Sequence, residues 1–126
     1  MEINLLRRIQ WNRMKKFKIT LLILLVLVVL SPIVYVQVNK MLYAKRVNAY
    51  LLEEEHYRQE EIQSVQGIWG VKLPPFYTVV IFKDEPEVEY IYFAHNHIMQ
   101  FEYRLTPEGE ARGFTRSQLK HYNPRD

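Results

Sequence analysis

The sequence contains no cysteine, only three serines and only four glycines. Absence of Cys excludes a disulfide framework, a thiolate metal site and a lipobox for acylation. No phosphate-binding loop, Gly-x-Ser-x-Gly elbow or His-Glu-x-x-His zinc motif occurs. Of the three serines, Ser31 lies in the most apolar stretch of the chain, which leaves Ser64 and Ser117 as nucleophile candidates. A hydrolase is disfavoured, and the chain is not read as an enzyme.

Charge is the next absence. From Ile19 to Asn39, 21 consecutive residues carry none, and 14 of the 18 from Ile19 to Val36 are Leu, Ile or Val. On an insertion scale these residues contribute about −4 to −8 kcal/mol before Ser31, Pro32 and Tyr35 are set against them. As a helix the run extends about 31 Å, which matches a hydrocarbon core of about 30 Å. A buried core helix of this composition needs a large protein around it, and the 88 residues from Asn39 to Asp126 do not supply one. The run reads as a transmembrane segment, with a kink expected at Pro32.

Upstream, Arg7, Arg8, Arg13, Lys15, Lys16 and Lys18 stand against one acid, Glu2; downstream, the nearest cations are Lys40, Lys45 and Arg46. Six against three places the amino terminus in the cytoplasm and the carboxyl-terminal domain outside. Met14-Lys15-Lys16-Phe17-Lys18 also reads as the opening of a secretory n-region, and starting there reduces the contrast to three against three. The apolar run is longer than an ordinary signal-peptide core, and no Ala-x-Ala site follows it closely, so an uncleaved anchor is favoured. Ile3, Leu6, Ile9 and Trp11, interspersed with arginines, suit a basic helix lying on anionic headgroups.

Residues 1 to 18 carry a net +5, whereas residues 39 to 126 carry −2. The overall pI of about 9.1 therefore belongs to the anchor and implies no nucleic-acid groove. Three segments result: 1–18 basic and cytoplasmic, 19–38 transmembrane, and 39–126 an extracytoplasmic domain.

In that domain, Tyr43, Val47, Tyr50 and Leu51 form an apolar helical stripe, ended near Glu53-Glu54-Glu55. Beyond Tyr57 the pattern becomes β. A weak strand at Ile62–Gly67 leads into a loop through Pro75, followed by strands at Phe76–Lys83, Glu87–Ala94 and Ile98–Leu105. Asp84-Glu85-Pro86 and His95-Asn96-His97 read as turns between them. In the last strand, Met99, Phe101, Tyr103 and Leu105 are assigned to the buried face, and Gln100, Glu102 and Arg104 to solvent. Thr106-Pro-Glu-Gly109 reads as a turn, and Thr115-Arg-Ser-Gln118 opens a short helix with a capping box. The expected fold class is α+β: an N-terminal transmembrane helix, then one helix packed on an antiparallel β-meander of three to four strands.

Candidate chemistry is sparse. His95 and His97 alternate as two metal ligands in a strand would, but two ligands do not make a site, and Asn96 favours a tight turn. Asp84, Glu85, Glu87 and Glu89 lack the ligand spacing of an EF-hand and read as a solvated hairpin end. Glu53, Glu54, Glu55, Glu60 and Glu61 read as a solvated face. Trp69, Pro74, Pro75, Phe76 and Tyr77 form the one suggestive loop: it is either an interaction patch that touches a partner or the membrane interface, or a cover for one end of the small core. No cofactor, small-molecule substrate or nucleic acid is expected. The expected partners are the lipid bilayer and another envelope protein.

Met14-Lys-Lys before a hydrophobic span, then Tyr50-Leu51, Tyr57, Ile62, Gly67-x-x-Gly70, Phe82-x-Asp84-Glu85-Pro86 and Tyr90-x-Tyr92, resembles a family of uncharacterised short proteins of Gram-positive bacteria, grouped as a domain of unknown function. The resemblance covers Met14 to Leu105 and implies a single-pass or exported envelope protein, with no catalytic residue assigned. Two other readings compete with a binding module of unknown partner. A minor pilin-like component has a similar architecture, although this span holds no glutamate. An inhibitory propeptide-like module acting on an envelope protease is the other.

Overall fold

The structure, a computed structural model, describes residues 2–71 and 75–124. Helix α1 spans Glu2–Glu53, followed by strands β1 (Ile62–Trp69), β2 (Phe76–Phe82), β3 (Glu85–Phe93) and β4 (Met99–Leu105) and the short helix α2 (Pro107–Ala111). The chain divides into two compact units, Met1–Tyr35 and Val36–Asp126. In the first, every described side chain is exposed.

In the second unit the four strands form one antiparallel sheet in the order β1-β2-β3-β4, the expected meander. Val47 and Leu51 of α1 are completely buried and join Ile62, Val80, Phe82, Val88, Tyr90 and Tyr92 in the core. The fold class is therefore α+β, with the helical stripe laid on one face of the sheet. Gly67 faces that helix. A Cβ on it would overlap the carbonyl oxygen of Lys40 and stand 2.6 Å from the carbonyl carbon, so only glycine lets β1 come this close to α1.

Several local details depart from the alternating pattern. The expected loop after Gly67 begins later, because β1 continues through Ile68 and Trp69, paired with Tyr77 and Phe76. Asp84-Glu85-Pro86 does not lie wholly in a turn: only Lys83 and Asp84 turn, and β3 starts at Glu85. Pro86 is tolerated because it has no partner on either neighbouring strand: pairing with β2 jumps from Glu85 to Tyr90, and pairing with β4 begins at Val88.

In β4 a bulge falls where Ile91 pairs with Glu102 and Tyr92 with Gln100. The extra residue flips the alternation, so Gln100 is buried and Phe101 is exposed, the reverse of expectation, while Tyr103 and Leu105 point inward as expected. Thr106 caps α2 by accepting from Gly109 N–H, which turns the expected Thr106–Gly109 turn into one helical turn. The Thr115–Gln118 capping box is present and closes a 3₁₀ turn, Arg116–Gln118.

Candidate functional site

An antiparallel meander gathers alternate connections at opposite ends. The β1–β2 and β3–β4 connections share one end with the Lys40–Tyr43 turn of α1; the β2–β3 turn shares the other with the close of α1 and the C-terminal segment.

The first end holds the aromatic loop. Trp69 is 53% exposed and Val71 is 97% exposed, whereas Phe76 is buried and Tyr77 half-buried; Pro75 is exposed, and Pro74 lies outside the described residues. The five candidate residues therefore split. Phe76 covers the core and meets Tyr43 at 5.5 Å between ring centroids, while Trp69, on the same face, and Pro75 remain exposed. Between the two connections opens an apolar cavity of about 410 Å³, lined by Tyr43, Pro75, Phe76, Phe93, His95 and Met99 among others. His95 is fixed by the Tyr43 hydroxyl, 3.0 Å from Nδ1, and Arg46 donates to the Ala94 carbonyl at 3.1 Å. His95 and His97 both sit in an exposed bend, and among the described residues no group of three metal-ligating side chains gathers around them.

The opposite end is polar and closed by hydrogen bonds. Glu85, expected to be solvated, is buried: it accepts from the Tyr90 hydroxyl and from the Lys120 backbone N–H at 2.9 Å. Two donors compensate the carboxylate for lost water. His121 stacks on Phe82 at 3.9 Å between centroids, with Nε2 2.8 Å from Asp84 Oδ1 and Nδ1 2.9 Å from the Tyr57 hydroxyl. A carboxylate only accepts, so Nε2 carries a proton, and in the neutral ring Nδ1 accepts from Tyr57. Buried Gln100 donates to the Tyr92 hydroxyl and to the His121 carbonyl, and accepts from Asn123 N–H. These bonds strap residues 120–123 across the sheet.

Beside the strap lies a cavity of about 230 Å³, lined by Tyr50, Glu55, Tyr57, Tyr92, Gln100 and His121 among others. Asp84, His121 and Tyr57 form a hydrogen-bonded chain of the kind that prepares a nucleophile, but the terminal hydroxyl is a phenol. Burial, then the nearby charges of Glu55 and Asp84, push the Tyr57 pKa up. Burial, followed by the bond to Glu85, raises Tyr90 strongly, and burial raises Tyr92 despite its bond from Gln100. These phenols stay protonated; Tyr57 and Tyr90 donate, to His121 and Glu85, and Tyr92 accepts from Gln100. Activation of a nucleophile requires the opposite shift.

Sequence reasoning missed Glu85, Gln100 and His121. A carboxylate beside prospective turn residues and a histidine in a polar tail give no local signal of burial. The available clue was Tyr90 at an inward strand position, since a buried phenol needs a partner.

No curated protein and no solved structure matches the chain. Residues 14–92, more than half of it, match the family described as Protein of unknown function (DUF3139), and the chain belongs to that family.

Proposed function

We propose that the protein is a single-pass membrane protein of the Gram-positive cell envelope, whose outer domain is a non-catalytic interaction module. The observation that supports anchoring most directly is the environment of the uncharged run. It lies on α1, long and apolar enough to cross a membrane, and none of its most apolar stretch is buried within the protein. So much exposed Leu, Ile and Val is compatible with lipid and not with water. The excess of cations before the run supports a cytoplasmic amino terminus. The protonated phenols and the lack of any cysteine support a non-catalytic domain.

Protease added to intact protoplasts is expected to digest the domain beyond Asn39 and leave a membrane-embedded fragment. Complete protection of the domain, with digestion only after lysis, overturns the orientation. The run of α1 without interruption to Glu53, followed by a sheet, also favours a pilin-like reading over the propeptide-like one. Cross-linking in membranes separates these: co-purification with pilus-assembly components supports the first, and with an envelope protease the second.

A further inference from the structure

We propose that the end of the domain bearing Trp69 and Val71 seats in the headgroup region of the bilayer that holds the anchor, so that the domain rests on the membrane at two points. This rests on the anchored reading above and adds a second lipid contact to it.

The depth follows from the register of β1 against α1. Ile62 shares the core with Leu51, and Gly67 abuts Lys40, so β1 runs toward lower α1 numbers. The five residues from Ile62 to Gly67 advance about 17 Å along a strand. The eleven from Leu51 back to Lys40 cover about 17 Å along a helix. The agreement means the two elements run side by side. Two residues further, at Trp69, the strand has gone about 7 Å past Lys40, which corresponds to four or five helical residues. Trp69 is thus near the end of the uncharged run, which closes at Asn39, and its strand partner Phe76 meets Tyr43, one turn beyond. Val71 follows it.

The chemistry at this level is that of an interface. Trp69 pairs with Phe76 and points to the face that carries α1, yet remains 53% exposed beside it. Val71 has no cover, at 97% exposure. An indole with an apolar body and one N–H donor is favoured at the boundary between headgroups and chains, and an exposed Val is not favoured in water. Lys40 and Lys45, just beyond the run, stand at the height of lipid phosphates.

The test uses the full chain carrying Trp11→Phe, which leaves Trp69 as the only tryptophan. It is reconstituted in phosphatidylcholine–phosphatidylglycerol vesicles with lipids brominated either near the carbonyl or near the chain terminus. Interfacial seating about 5–10 Å into the boundary predicts roughly two-fold quenching by the carbonyl-end bromines, little by the terminal ones, and shielding from aqueous acrylamide. In a second chain, with Trp11→Phe, Trp69→Phe and Val71→Trp, the same ordering is expected. Co-flotation with vesicles is measured in parallel. A chain that floats but whose Trp69 is quenched by acrylamide and not by lipid overturns this proposal alone. A chain that does not float overturns it together with the anchored reading.

Discussion

The two ends of the sheet use aromatic side chains in opposite ways. At the strapped end, Tyr57, Tyr90 and Tyr92 are turned inward and each hydroxyl meets a named partner, His121, Glu85 and Gln100. At the looped end, Trp69 stays half exposed beside the exposed Val71, and the cavity between the connections is apolar. The first arrangement resembles the interior of a soluble domain that must satisfy buried polar groups. The second leaves apolar surface open, at the level where the charge-free run of α1 ends. The difference is one of surroundings: water is the neighbour of the strap, and lipid is the proposed neighbour of the loop.

The largest expected effect falls where the looped end meets α1. In Gly67→Ala the new methyl overlaps the Lys40 backbone, which has no flexible end to move aside. A loss of about 3 kcal/mol, the upper range for overpacking, is expected from urea unfolding in detergent followed by near-ultraviolet circular dichroism. A neutral outcome would show that β1 does not lie on Lys40, and the depth assigned to Trp69 would lose its basis.

Glu85→Ala attacks the strap. It strands the Tyr90 hydroxyl and the Lys120 N–H in a buried site, and a cost of about 2–3 kcal/mol is expected. Residues 120–123 should also become faster in hydrogen exchange. Unchanged exchange there would mean that Gln100 and His121 hold the segment without Glu85.

Tyr90→Phe is milder, at about 1–2 kcal/mol, because Glu85 keeps the Lys120 N–H, although the His121 N–H loses the hydroxyl it donates to. It also carries a pH signature. Tyr90 and Tyr92 have pKa values raised above 10.0, mainly by burial, so the folded state retains protons that the unfolded state releases. Stability is fully present below pH 10.0 and declines as pH rises above it toward the folded-state values. Tyr90→Phe should flatten part of that alkaline decline. An identical slope in wild type and variant would contradict the burial of this phenol.

The contrast between the ends was only partly legible in the residues. The meander, the helical stripe and the Thr115 capping box follow from local periodicity and turn chemistry, which a sequence displays directly. The close of α1 was blurred because no glycine marks it; His56 takes the left-handed conformation, at φ 59°, and Tyr57 N–H returns to the Leu51 carbonyl. The strap was hidden for a different reason. Its bonds join residues far apart in the chain, Tyr57 to His121 and Gln100 to Asn123, and a bulge exchanged the faces of Gln100 and Phe101. Alternation carries no information about where an extra residue enters the strand. At the looped end Trp69 and Phe76 are paired on the same face of the sheet, so their division into exposed and buried depends on where Tyr43 of α1 lies over that face, which local alternation does not encode.

That division leads to the smallest expected effect. Trp69 is large and aromatic, yet half of it is open, so Trp69→Ser should change unfolding stability in detergent by no more than about 0.5 kcal/mol. A core residue of that size would cost several times as much. Detergent can wet an exposed indole as readily as it covers an apolar chain end, so this measurement isolates what Trp69 does for the fold from what it does for lipid. A loss of about 2 kcal/mol or more would place Trp69 with Phe76 as part of the core cover, and the looped end would then differ from the strapped end in chemistry but not in purpose.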